Sequence, residues 1–139
     1  MTRLLIALSF LLTGCASTND YVYKLYPGPV LDDSELATIR LDDGVYQMKI
    51  DGMTFHRGDY TTAKVKPGEH EIDFTAMFGV SVLVNSNGWD AAGTSEIVNL
   101  EAGRTYSAQS DRTTGHGYQM FVWIEDVDTG EVVAGSRMP

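Results

Sequence analysis

The feature that most constrains the fold is an alternation of apolar and polar residues with a period of two. In the segment HEIDFTAMF (70–78), the apolar residues Ile72, Phe74 and Ala76 alternate with polar ones. Successive side chains of a β-strand point to opposite faces, so this pattern predicts a strand with one buried face. No window of the chain shows a sustained helical repeat. The sequence therefore predicts an all-β protein.

Short segments of this kind, rich in β-branched and aromatic residues, recur along the chain. The predicted strands cover residues 34–41, 45–51, 60–65, 70–78, 80–84, 95–100, 104–110 and 118–127. Short strands at this spacing are typical of a sandwich or a small barrel. We predict a single antiparallel β-sandwich of about seven to eight strands.

Turns that contain glycine separate these segments and favour hairpins. In the stretch 66–69, Pro67 presets φ at the second turn position and Gly68 allows the positive φ of the third, which predicts a type II turn. In the stretch 101–104, Gly103 holds the same turn position as Gly68, between two predicted strands. In the stretch 128–130, a glycine stands where a bulged hairpin requires one.

The first 14 residues have the pattern of a secretory signal: a positive charge at Arg3, an apolar run from Leu4 to Leu12, and small residues after it. The run is shorter than the roughly 20 residues of a membrane-spanning helix. The stretch Leu12-Thr13-Gly14-Cys15 resembles the lipobox of bacterial lipoproteins at every position. This resemblance implies cleavage between Gly14 and Cys15 and attachment of lipid to the Cys15 sulfur.

Cys15 is the only cysteine of the chain, so no disulfide is available to it. Each buried methylene of an acyl chain contributes about 0.8 kcal/mol, and several chains would hold the protein to a membrane. The resemblance implies an outer-membrane address, because Ala16 replaces the Asp that favours the inner membrane. We expect a signal peptide over residues 1–14, a lipidated tether over 15–25 and a β-sandwich over 26–139, facing the periplasm.

The expected mature chain is strongly acidic. The full chain has 10 basic and 19 acidic side chains, and loss of Arg3 with the leader leaves 9 against 19, a charge of −10. This balance argues against nucleic acid as a partner, which would require a basic stripe. It also disfavours direct adhesion to anionic lipid. We therefore expect membrane contact through the N-terminal lipid, and the sequence implies no cofactor.

A second resemblance covers most of the chain from Tyr26 to Val133. The segments KIDGM and KVKPGEHEIDF are similar to the PEGA-type module, a small β-domain of bacterial surface and envelope proteins. The matching positions are Ile50, Asp51, Gly52, Pro67, Gly68, His70 and Ile72. The order of elements also resembles that of small envelope lipoproteins of unknown function. Since the matching residues are chiefly turn residues, the resemblance implies a fold and no particular activity.

No set of nucleophile, base and orienting group is recognisable in the sequence. His56, His70 and His116 have no metal-ligand partner at short spacing. The segment around Ser81 lacks the closing glycine of a nucleophile elbow. We expect His70 to lie on a strand face beside the Pro-Gly turn and to be no ligand.

One weak metal motif occurs near the end of the chain. Asp126, Asp128 and Gly130 are spaced as at the start of a calcium loop, where several oxygen ligands converge on a tight turn. The position of the distal bidentate glutamate falls on Arg137. A hairpin is therefore the preferred interpretation, and we predict no metal site.

Two polar stretches, 85–93 and 111–117, are longer than a turn requires, and loops on a rigid β-scaffold often carry recognition. Trp89 lies in the first, while His116 and Tyr118 flank the end of the second. Such aromatic residues can stack on a sugar ring or on a partner's backbone. These three are the candidate binding residues, although a core position for Trp89 stays open.

Tyr118 also lies on the same predicted strand as Phe121 and Trp123. For Phe121 and Trp123 a position in the core is the favoured interpretation.

Three functions are compatible with the sequence. We expect a non-enzymatic binding module of the cell envelope that meets a protein or a glycan through its loops or an open sheet edge. The alternative is a structural or assembly accessory of an outer-membrane complex, which would pair along a weakly charged strand edge. A hydrolase that uses acidic residues is the third, because paired carboxylates cannot be recognised without geometry.

Overall fold

The protein is all-β, as the alternating pattern predicts. The structure, a computed structural model, describes residues 22–42, 44–58, 60–79, 89–113 and 119–139, with the backbone alone for 77–79 and 89–92. Within these ranges it contains ten strands and one short 3₁₀ helix, Asp33–Glu35. None of the described residues belongs to a helix that is long and apolar enough to cross a membrane.

The strands form one sheet of six and one of four. In chain order they are β1 Val22–Lys24, β2 Ala37–Leu41, β3 Val45–Ile50, β4 Met53–His56, β5 Thr62–Val65, β6 Gly68–Gly79, β7 Trp89–Leu100, β8 Thr105–Arg112, β9 Met120–Asp126 and β10 Val132–Gly135. The larger sheet has the order β1-β5-β2-β8-β9-β10, and the smaller has the order β4-β3-β6-β7.

The predictions of seven to eight strands and of a purely antiparallel arrangement are wrong. The described ranges hold ten strands, and two pairs, β1 with β5 and β2 with β8, are parallel. Strands β1 and β4, with three and four residues, are too short to show an alternating pattern. Between β2 and β8 the chain forms the strands of the smaller sheet. Parallel neighbours need a long connection of this kind, because a tight hairpin joins only antiparallel strands.

Two of the predicted hairpins are instead connections between the sheets. Pro67 and Gly68 link β5 of the larger sheet to β6 of the smaller one, and Gly68 has a φ of +129°. Gly103, with φ +74°, lies in the turn from β7 to β8, where Arg104 N donates to the Glu101 carbonyl at 3.4 Å. The positive φ values at both glycines are confirmed, but the flanking strands do not pair with each other.

Two other turns do close hairpins. Asp51 and Gly52 have φ values of +48° and +83° between β3 and β4, which matches a two-residue type I′ turn. The predicted hairpin at Gly130 is confirmed between β9 and β10, with Gly130 N donating to the Asp126 carbonyl at 2.8 Å.

Both sheets contribute one face to a single hydrophobic core. Ile72, Phe74 and Ala76 of β6 are at most 1% exposed, which confirms the buried face predicted from their alternation. The larger sheet contributes, among others, Ile39 and Ile124. Fully burying a side chain of this size stabilises the fold by about 1.5–3 kcal/mol.

The folded domain begins earlier than the sequence indicates. The expected tether covers residues 15–25, yet Val22–Lys24 form β1 at the edge of the larger sheet, and Leu25 belongs to the core. Tyr23 packs beside Tyr60, with ring centroids 4.7 Å apart. A segment of three residues that pairs with β5 has no periodic pattern of its own, so its place in the sheet depends on that neighbour.

Candidate binding site at the crossover between the sheets

Strand β2 leaves the larger sheet before its neighbour β8 ends. The two strands pair up to Leu41 and Ala108, and Asp42 N donates to the Ala108 carbonyl at 3.0 Å. The chain then crosses to the smaller sheet, where Val45 N donates to the Asp42 carbonyl at 3.2 Å. Strand β8 continues to Arg112 with β9 as its partner. A cleft opens beside β8 where β2 is missing.

Two adjoining cavities meet at Asp42, and we call them together the Asp42 cleft. The larger, of about 370 Å³, is lined by Leu41, Asp42, Arg57, Gln109 and Ser110. The smaller, of about 280 Å³, is lined by Arg40, Leu41, Asp42, Thr61 and Thr62. The larger volume lies within the range of about 300–1,000 Å³ that is usual for small-molecule sites. The described lining residues other than Leu41 are all polar or charged.

Residues from distant segments hold Asp42 in place. Ser107 Oγ, in a residue that is 1% exposed, donates to Asp42 Oδ2 at 2.5 Å. Arg57 Nη1 donates to the Asp42 carbonyl at 2.7 Å. The other carboxylate oxygen, Oδ1, has no hydrogen-bond or ion-pair partner among the described residues. Since a carboxylate oxygen can accept two hydrogen bonds, Asp42 keeps acceptor capacity in a fixed position.

Gln109, which lines the larger cavity, is held in place by Glu125 of strand β9. Gln109 Nε2 donates to Glu125 Oε1 at 2.9 Å, which leaves the Gln109 amide oxygen as an acceptor. Glu125 also accepts from Trp123 Nε1 at 2.7 Å and from Arg137 Nη2 at 2.5 Å. The C-terminal segment and two strands thus meet at one carboxylate.

Glu125 is an ionised acceptor in this network. Burial by itself raises the pKa of Glu125, but hydrogen bonds from Trp123 and Arg137, the charge of Arg137 and the bond from Gln109 outweigh it. The pKa therefore lies below its usual value. A carboxyl that serves as general acid near neutral pH needs the opposite shift. Glu125 thus positions Gln109 and does not supply a proton.

Trp123 is buried, being 8% exposed, but it lies outside the hydrophobic cluster. Its neighbours Val122 and Ile124 face the core, so Trp123 occupies the opposite face, with Glu125 two residues further on. Phe121, which shares this parity, is half-buried. The expected burial is thus confirmed for Trp123, although on the face away from the hydrophobic cluster, whereas Phe121 is only half-buried.

Of the candidate binding residues that the sequence names, the structure describes only the backbone of Trp89. Trp89, which the sequence places in a loop, is the first residue of β7 and stands opposite Gly79. The β6–β7 ladder continues through residues 89–93 because backbone pairing does not require an apolar pattern there. Gly14, Cys15, His116 and Tyr118 lie outside the described residues, as does the predicted strand 80–84.

His70, one of the residues of the PEGA-type resemblance, is held by contacts from two turns. Its Nδ1 lies 2.6 Å from Asp51 Oδ2 and its Nε2 lies 2.7 Å from the Lys66 carbonyl. Asp51 Oδ1 accepts from Glu71 N at 3.0 Å. The side chain of His70 is 13% exposed and links the type I′ turn to the Pro-Gly connection. These contacts agree with a structural role beside the Pro-Gly turn.

The carboxylates of the calcium-like motif build a turn. Asp126 Oδ1 accepts from the backbone N–H groups of Asp128 at 2.8 Å and Thr129 at 3.0 Å, and Oδ2 lies 3.6 Å from Arg104 Nη1. Burial alone raises the pKa of Asp126, but the bonds from Thr129 and Asp128 and the charge of Arg104 outweigh it, so the pKa is lowered. In the described ranges, no three His, Cys, Asp or Glu side chains converge as metal ligands.

Sequence reasoning missed the Asp42 cleft. Arg57 lies 15 positions and Ser107 lies 65 positions from Asp42 along the chain, so no short motif joins them. The only local signal is the Asp-Asp-Gly stretch 42–44, which is typical of a turn.

Comparison with known proteins identified no relative of this chain. No protein-family model, curated protein or solved structure matches this chain. The resemblances to lipoproteins and to the PEGA-type module therefore remain hypotheses based on the residues that carry them.

Proposed function

We propose that this chain is a lipid-anchored protein on the periplasmic side of the outer membrane, whose β-domain is a non-enzymatic binding module. The lipobox Leu12-Thr13-Gly14-Cys15 supports the anchor. Strand β1 begins at Val22, 22 − 15 = 7 residues after Cys15. Seven extended residues span at most about 25 Å, so the tether would keep the domain close to the bilayer.

The fold that we propose for this module is a β-sandwich. One core cluster receives side chains from both sheets, as expected when two sheets pack face to face. The crossovers from β2 to β3 and from β7 to β8 would then run between the two layers.

The observation that carries a binding function is the Asp42 cleft. Its polar groups are fixed by contacts with Ser107, Arg57 and Glu125, and fixed polar groups in a concave site are typical of ligand binding. The described residues that line the cleft include neither histidine nor cysteine, the usual members of nucleophile–base pairs. The arrangement supports recognition better than turnover.

Replacement of the lipidated cysteine tests the anchor. Cys15→Ser should accumulate as uncleaved or soluble precursor, because serine provides no thiolate for lipid transfer. Ser17→Ala, just outside the lipobox, is the matched control and should fractionate like the parent chain. If the Cys15→Ser protein still floats with outer membranes, the lipoprotein assignment fails.

A second function, an assembly accessory of a membrane complex, is favoured by the edge of the smaller sheet. Strand β7 has 12 residues and pairs with β6, and Ile97 on it is 74% exposed. From Gly93 to Leu100 the only charged residue is Glu96, which accepts from Gly135 N at 3.0 Å. A long edge of low charge is suited to pairing with a strand of a partner.

A photo-crosslinker at position 97, with one at Thr54 on the exposed edge strand β4 as control, distinguishes this alternative in intact cells. A discrete protein adduct from position 97 alone would support an assembly role. Equal labelling from both positions, or none from either, would count against it.

A further inference from the structure

We propose that the Asp42 cleft binds a neutral carbohydrate, so that the partner of the module is a glycan. This inference rests on the proposed binding function and names its ligand class. It starts from the polarity of the cleft, in which Leu41 is the only apolar residue among the described residues of the lining. A mainly apolar ligand would desolvate these polar groups without replacing their hydrogen bonds, which is costly.

The Asp42 carboxylate is held in a fixed position without a ligand. Ser107 holds Oδ2 of Asp42, while Oδ1 has no partner among the described residues. Arg57 fixes the backbone of the same residue through its carbonyl. Because the carboxylate is already held, binding would not require much additional loss of side-chain freedom. A hydroxyl group is a suitable donor to such an oxygen, with a charge-assisted hydrogen bond.

The charges around the cleft favour a ligand without net charge. Asp42 at the centre repels anions, and the whole chain carries a charge of −9. Arg40, which lines the smaller cavity, repels cations. Arg40 is exposed and makes no ion pair within the described part of the chain. A neutral group that both donates and accepts can use the Asp42 carboxylate and the Arg40 guanidinium together.

Sugar hydroxyls have this property, because each hydroxyl donates one hydrogen bond and accepts others. Gln109 adds a fixed amide oxygen at one side of Asp42, while Thr61 and Thr62 add hydroxyls at the other. The two cavities adjoin at Asp42, so neighbouring sugar units of a chain could occupy them in succession. The cleft therefore fits an oligosaccharide better than a single small polyol.

Calorimetric titration of the full-length chain, purified from membranes in detergent, tests this proposal. The probes are three neutral trisaccharides, chitotriose, cellotriose and maltotriose, with inorganic phosphate as the anionic comparison. The variants are Asp42→Asn and Arg57→Gln. Asp73→Asn is the matched control, since Asp73 lies on β6 of the other sheet and faces Lys49 at 3.7 Å.

We expect saturable binding of at least one trisaccharide, a loss of tenfold or more in affinity with Asp42→Asn or Arg57→Gln, and no change with Asp73→Asn. The proposal is overturned if no trisaccharide binds at about 10 mM, where even a site of millimolar Kd would be mostly filled. It is equally overturned if phosphate binds more tightly than the sugars, or if Asp42→Asn and Asp73→Asn behave alike.

Failure of this inference is distinguishable from failure of the proposed function. A chain that binds no sugar but is released from membranes by Cys15→Ser would remain a lipid-anchored protein with a different partner. A chain that binds sugar but keeps its membrane association in the Cys15→Ser variant would contradict the anchor and leave the cleft assignment intact.

Discussion

Asp126 and Asp42 both lie at the end of a strand in the larger sheet, and they use their carboxylates differently. Both oxygens of Asp126 are engaged: Oδ1 accepts two backbone N–H groups of its own turn, and Oδ2 faces Arg104. Asp42 uses one oxygen, which accepts from Ser107. The second oxygen of Asp42 has no partner in the described part of the chain.

The difference follows from what the chain does after each strand. After Asp126 it reverses at once into β10, so the backbone N–H groups of the hairpin come within reach of the carboxylate. After Asp42 it crosses to the other sheet, and the turn leaves an open space beside β8. A carboxylate that its own turn satisfies contributes to stability, whereas one that a crossover leaves half-satisfied is available to a ligand.

The largest expected effect is the loss of the Asp126 carboxylate. Asp126→Ala removes two turn hydrogen bonds and the least exposed of the three carboxylates that face Arg104, and we expect the free energy of unfolding to fall by about 2–3 kcal/mol. Urea denaturation measures this change. Asp128→Ala is the matched control, because its side chain is 69% exposed and its effect should stay below about 0.5 kcal/mol. Equal losses in both variants would contradict the structural role of Asp126.

Acidification should weaken the same region. The pKa values of Glu125 and Asp126 are lowered on folding, so their contribution is present above the unfolded-state values of 4.5 and 3.8 and is lost as the pH falls through the lower folded-state values. We expect the urea midpoint to drop between about pH 5 and pH 2. The drop should be smaller in Asp126→Asn, which cannot titrate there. An equal drop in parent and variant would show that Asp126 carries none of the effect.

Removal of the hydroxyl that holds Asp42 should have an intermediate effect. Ser107→Ala deletes the bond to Asp42 Oδ2 in a residue that is 1% exposed, and we expect a loss of about 1 kcal/mol in unfolding free energy. Ser95→Ala, an exposed serine on β7, is the control and should change stability by less than about 0.5 kcal/mol. A loss as large as that of Asp126→Ala would remove the contrast between the two carboxylates.

Asp42→Asn should have the smallest effect on stability. The amide oxygen can still accept from Ser107, and the backbone bond from Arg57 is unaffected, so we expect a change within about 0.5 kcal/mol. The melting temperatures of Asp42→Asn and Asp126→Asn, measured side by side, check that Asp42→Asn is the less destabilised variant. If Asp42→Asn is the more destabilised of the two, Asp42 is a structural residue and the contrast is reversed.

The alternating segments could be predicted from the sequence because each strand carries its own signal. The buried face of β6 and the glycine positions of three turns follow from local patterns at residues such as Phe74 and Gly130. The pairing partners could not be predicted in this way, because Pro67-Gly68 has the same local chemistry whether it closes a hairpin or connects two sheets. Trp89 shows the related limit, since backbone pairing extended β7 into a stretch without a strand pattern.

The sequence by itself determined the all-β class and the positions of the turn glycines, because these depend on residues that are neighbours along the chain. Only the tertiary structure decided that β2 and β8 lie side by side in parallel and that β2 leaves the sheet at Asp42. Ser107, Arg57 and Asp42 meet because strand β8, the residue after β4 and the end of β2 come together at that crossover. A site assembled by long-range pairing has no local pattern, since the contacts that create it exist only after both sheets have formed.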